Sequence, residues 1–153
     1  MSAPQNVTLE ALQQYADRCN ALAAFQNFGV KVHFPDVTRL QIRVDSVPPA
    51  MRGGLGDTAI VNGGVLSALC DVLIGCSCGL VDPTSRSGTV QLSIRFERPL
   101  RGALILGEAR LDRATKRLVF ASGELRDEQG EVCVRVQGIA TLISERDRPA
   151  SMA

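Results

Sequence analysis

Histidine is almost missing from this chain: among 153 residues there is one, His33. Chemistry that needs an imidazole near neutral pH, as proton shuttle or metal ligand, has only that residue to draw on. His33 alternates outward on an early apolar–polar segment with no acidic neighbour, so it reads as surface. A zinc site is not expected, because Cys76 and Cys78 are two residues apart on a helical pattern and point in different directions, and His33 is far from them in sequence. Charge of one sign is lacking too. Seventeen Lys and Arg against sixteen Asp and Glu leave a formal net charge of +1, which argues against a nucleic-acid stripe or a membrane-surface patch. No apolar run is expected to reach the roughly 20 residues of a bilayer span. The five cysteines (Cys19, Cys70, Cys76, Cys78, Cys133) are odd in number and lie in apolar patterns, and no secretory leader is expected before them; they read as reduced core thiols of a cytoplasmic protein. No repeat, low-complexity stretch or break in composition divides the chain, so residues 1–153 are expected to form one domain.

What is present is strong periodicity. From Thr8 to about Ala24, Leu9, Leu12, Tyr15, Ala16, Cys19 and Leu22 recur at helical steps, with Thr8 placed to cap. Val30, Val32 and Phe34, then Leu40, Ile42 and Val44, alternate with polar residues and predict two strands joined by a tight turn. Pro48, Pro49 and the glycines at 53, 54 and 56 predict an irregular loop over Val47–Ile60. A helix over about Gly63–Leu80 follows. Val90–Phe96, Ala103–Leu111, Arg117–Leu125 and Val132–Ile143 then predict an antiparallel meander. The order is that of an α+β fold in which one sheet wraps a long central helix, with a second helix at the N-terminus.

The central helix is apolar nearly all round, which predicts burial, yet it carries Asp71. A buried carboxylate without a partner costs several kcal/mol, so Asp71 is a candidate functional residue. At helical spacing Gly64, Ser67, Asp71, Gly75 and Cys78 form one small or polar stripe. Gly63 and Gly64 allow close approach of a ligand to the backbone, and the first helical turn offers unpaired N–H groups to a polarised carbonyl. A tight turn and a satisfied core carboxylate would explain the same residues.

These residues resemble the hotdog-fold acyl-CoA thioesterases of the 4-hydroxybenzoyl-CoA thioesterase superfamily, in the branch typified by the phenylacetate-pathway enzymes. The resemblance spans about Phe25 to Ile143. It rests on Asn62-Gly63-Gly64 where the family usually has His-Gly-Gly, on Asp71 at the family's spacing, on Ser93-Ile94-Arg95-Phe96-Glu97-Arg98-Pro99, and on Gly130-Glu131-Val132. It implies hydrolysis of acyl-CoA to free acid and coenzyme A, with Asp71 as general base or nucleophile and the Gly63 N–H polarising the thioester carbonyl. Thr89 lies where related enzymes hold the attacking water, and Arg98, Arg101, Lys116 and Arg117 where coenzyme A phosphates often lie. Gly64, Val65 and Ser67 are expected to line the substrate, with Leu66, Leu69 and the 47–60 loop as acyl walls. Coenzyme A is then part of the substrate; no separate cofactor and no metal is implied.

Eight helical steps put Gly63 and Asp71 roughly 12 Å apart along one axis. One helix does not easily bring both to one carbonyl, so a two-fold dimer, or a dimer of dimers, is expected, as in similar hotdog enzymes. Asn62 departs from the family: an amide orients groups by hydrogen bonds and caps helices well, but shuttles no proton. Thr89 is equally explained as ordinary sheet and the four cations as solvated charges. A hydratase would need a His that His33 is not placed to supply. A non-catalytic acyl-CoA-binding or regulatory hotdog protein is the competing reading.

Overall fold

The computed structural model describes residues 7–54 and 56–143. Helix α1 (Leu9–Asn20) starts where Thr8 Oγ1 accepts the Ala11 N–H at 3.2 Å, and it buries Leu12, Tyr15, Ala16 and Cys19. It stops four residues short of the expected end. The Asn20 amide leaves the helical pattern to bond both backbone groups of Val32, donating to its carbonyl at 3.0 Å and accepting its N–H at 2.7 Å. A short second helix, α2 (Ala23–Phe28), follows and ends at Gly29, whose φ of 62° is the left-handed geometry glycine adopts without strain.

Strands β1 (Val30–Asp36) and β2 (Arg39–Val44) match the alternation, with Lys31 and His33 exposed between buried Val30, Val32 and Phe34. The expected irregular loop holds more order than its glycines suggested. A 3-10 turn (Pro49–Met51) leads into a small hairpin of β3 (Arg52–Gly54) and β4 (Asp57–Val61). Arg52 pins it, donating to the carbonyls of Ala59 (3.0 Å), Val47 (3.3 Å) and Gly102 (2.5 Å). No hydropathy pattern announces such a hub.

The central helix α3 spans Gly63–Cys76 and tightens into a 3-10 turn over Ser77–Leu80. Strands β5 (Arg86–Phe96), β6 (Ile105–Ala114), β7 (Leu118–Arg126) and β8 (Val132–Ile143) complete one six-stranded antiparallel sheet in the order β1-β2-β6-β7-β8-β5. Strands β1 and β5 are therefore its edges. The sheet wraps α3, with α1 packed on β1, which is the expected α+β hotdog architecture. Close wrapping needs missing side chains. A Cβ on Gly138 of β8 would stand 2.8 Å from Ile74 of α3, so glycine there lets helix and sheet touch. The sheet's outer face is polar; Arg135 bridges Glu97 at 3.2 Å and Glu124 at 2.9 Å.

One expectation from hydropathy needs correction. The 18 residues Gly63–Leu80 have the length and apolarity of a short bilayer span. Here they are the core helix and its 3-10 extension, with Leu66, Leu69, Leu73 and Ile74 buried by the sheet.

Candidate active site

Helix α3 is not buried all round. Its inner face carries Leu66, Leu69, Cys70, Leu73 and Ile74, whereas Gly63, Gly64 and Asp71 are exposed and Val65, Ser67, Val72 and Gly75 half-buried. The expectation of a buried Asp71 is thus wrong for the single chain. The stripe of small residues is an open strip, and Asp71 is the one charge on it. Only Cys78, at the strip's far end, is enclosed.

Asn62 precedes the helix and caps it. Its Oδ1 accepts the Gly64 N–H at 2.8 Å, its Nδ2 donates to the Gly53 carbonyl at 2.7 Å, and its own N–H reaches Met51 O at 2.9 Å. Both carbonyls flank Arg52, so the Arg52 hub holds the segment that holds Asn62. With Gly64 taken by the cap, Gly63 presents the first helical N–H, for which the helix supplies no acceptor. The Ser67 hydroxyl bonds the Gly63 carbonyl at 2.8 Å, so it supports the first turn.

Edge strand β5 runs beside this strip in the opposite direction. Phe96 lies at the Gly63 end, its ring 3.7 Å from where a Gly63 Cβ would stand; Thr89 Oγ1 lies at the other end, 3.4 Å from the equivalent point on Gly75. Gly75 is one turn beyond Asp71, so Thr89 and Asp71 are neighbours along the same strip. Simple alternation would have put Val90, not Thr89, with Leu92, Ile94 and Phe96. The β5–β8 register shifts between Thr89 and Gln91, leaving Val90 as the extra residue of a bulge. Thr89 then pairs with buried Ala140, while Ile94 and Phe96 pair with buried Val136 and Val134, so all three face the helix. Bulges of this kind re-aim side chains beside functional sites.

The four cations do not form one cluster. Arg98 and Arg101 follow β5 at the Gly63 end, paired with Glu131 (3.0 Å) and Asp57 (2.7 Å). The Arg101 hydrogen bond holds the Asp57 carboxyl below its usual range. Lys116 and Arg117 turn β6 into β7 at the opposite end of a ten-residue strand, roughly 30 Å away at the usual rise per residue. The Arg117 carbonyl accepts from Leu142 and Thr141. Sequence proximity to turns placed all four residues correctly at strand ends but could not say which end. Phe96 and Arg52 carry no sequence signal for their roles; both emerge only from tertiary contacts. No group of three or more metal-binding side chains occurs among the described residues.

A six-stranded antiparallel sheet wrapped around one long helix is the hotdog architecture. Residues 58–134, about half of the chain, match the family model described as the thioesterase superfamily, and the chain belongs to that superfamily. Thioester hydrolysis is the general chemistry that membership brings. Solved structures of similar fold include the PaaI protein from the phenylacetic acid degradation operon of E. coli (18% identity, covering 89% of this chain and 96% of that one, TM-score 0.77). A thioesterase from Haemophilus influenzae (15%, 94% and 96%, 0.74) and a thioesterase family protein from Silicibacter pomeroyi (15%, 86% and 98%, 0.75) are also similar. No curated protein sequence matches the chain.

Proposed function

We propose that this protein hydrolyses acyl-CoA thioesters to a free acid and coenzyme A, and that its active unit is a homodimer with each site shared between protomers. The observation that carries the reading is Asp71, the one charge on the open strip of α3. The carboxylate takes a proton from water held by Thr89, or attacks the carbonyl carbon itself. Negative charge developing on the carbonyl oxygen is stabilised by the Gly63 N–H at the positive end of a 14-residue helix. Coenzyme A departs as a thiolate, whose acidity is close to that of a cysteine thiol at about 8.5. Such a leaving group needs little protonation near neutral pH, which fits a site with Asn62 and no histidine. Gly64 and Ser67 shape the first turn, and Val65 lines the acyl group.

The dimer is supported by two features. In the unbroken helix α3 Gly63 and Asp71 remain roughly 12 Å apart, and β5 presents an unpaired edge with Val90 62% and Phe96 53% exposed. A second copy paired antiparallel along β5 would cover those side chains and bring each Gly63 toward the other copy's Asp71. Dimers of such dimers, and a cytoplasmic setting, belong to the same proposal. Arg98 and Arg101, at the Gly63 end, receive the phosphates of coenzyme A. Their carboxylate partners lie exposed to water, where such pairs are weak, so exchange for phosphate is easy.

A non-catalytic acyl-CoA binder is the second reading. It is favoured by Asn62, both ends of whose amide are engaged within the chain. Release of free thiol from a panel of acyl-CoA esters decides. Turnover by the parent protein and its loss by at least 100-fold in Asp71→Asn, with the fold kept, is the expected result; binding without thiol release establishes the second reading, and an active Asp71→Asn removes Asp71 from the chemistry.

A further inference from the structure

Three of the five thiols meet where α1 crosses the far end of α3. Cys19 lies in the last turn of α1, Cys76 ends α3, and Cys78 follows in the 3-10 turn. All three are buried, alongside Tyr15 and near the Ser87 hydroxyl. Two of them touch: the Cys76 thiol donates to the Cys19 sulfur at 3.9 Å. They are not equivalent. That hydrogen bond lowers the Cys19 thiol's pKa, and the guanidinium of Arg18 adds to it, whereas the same bond and deep burial raise Cys76. Cys70 and Cys78 are pushed up to about 12 by burial. Cys19 is also slightly more open than Cys76, at 9% against 6% exposure. The pair thus has the order of a more nucleophilic thiol backed by a resolving one.

We propose that Cys19 and Cys76 are a redox modification site, at which hydrogen peroxide converts the two thiols to a disulfide that ties α1 to α3. The Cys19 thiolate attacks one peroxide oxygen and the O–O bond breaks. The departing hydroxide takes up the proton that Cys19 released, leaving water and a sulfenic acid. The Cys76 sulfur then attacks the Cys19 sulfur, the S–O bond breaks, and the hydroxyl leaves as a second water with the Cys76 proton. The peroxide is reduced by two electrons and the two sulfurs are oxidised to one disulfide. The cross-link would clamp the end of the helix that carries Asp71, because Gly75, next to Cys76, backs onto Thr89.

The test uses the native full chain and hydrogen peroxide, followed by blocking of free thiols and peptide mapping without reductant. The expected product is one linked peptide pair, Cys19 with Cys76, reversed by dithiothreitol, with accessible thiols after unfolding reduced from five to three. The link should persist in Cys78→Ser and vanish in Cys19→Ser. Oxidation of Cys19 to sulfinic acid with no linked peptide, a link that uses Cys78 in the parent protein, or five intact thiols after treatment would each overturn the proposal. Mapping of the parent protein alone decides, should a variant fail to fold.

Discussion

Asn62 shows how one residue carries both stability and site geometry. Its side chain satisfies the Gly64 N–H and holds Gly53, so Asn62→Ala should destabilise the fold by about 1 kcal/mol, the usual cost of a lost cap. Asn62→Asp keeps an acceptor for Gly64 and should recover most of that loss. Urea unfolding at one protein concentration measures both, and an alanine variant as stable as the parent would show that the cap contributes nothing. The cap was legible in the sequence, because Asn before a glycine pair and an apolar run is a recognised helix start. The exposure of Asp71 was not. Apolarity around α3 suggested burial on every side, and only the sheet's failure to close over one strip reveals that the carboxylate faces outward.

Among the elements, the meander and both early strands follow from alternation alone, since a half-buried sheet forces a period of two. Three departures have local physical causes: Asn20 bonding Val32 cuts α1 short, Arg52 orders a glycine-rich hairpin, and the Val90 bulge turns Thr89 toward α3. Each depends on a partner distant in sequence, which periodicity does not see. The loop after β5 carries its own prediction. Neutralising Arg98 and Arg101 together should raise KM for acyl-CoA about 10-fold and leave kcat nearly unchanged, because a remote phosphate contact is made equally in ground and transition states. The parent's KM should rise with salt, which screens such contacts beyond about 8 Å at physiological strength. An N-acetylcysteamine thioester, which lacks the nucleotide, should be indifferent to the change. Equal losses on both substrates would assign these arginines to the fold.

For the whole molecule, the proposed site assembled by two chains rests on the separation along α3 and the unpaired edge of β5. Mixed dimers test that claim most directly. Asp71→Asn removes the carboxylate, and Gly63→Pro removes the N–H at a helix position that tolerates proline, after an Asn62 already extended at φ −62° and ψ 136°. Each variant alone should be inactive. Co-expressed under two affinity tags and purified as heterodimers, they should regain up to half the parent's activity, because one of the two shared sites then has its Gly63 N–H from one chain and Asp71 from the other. Heterodimers that form stably and remain inactive would contradict the account.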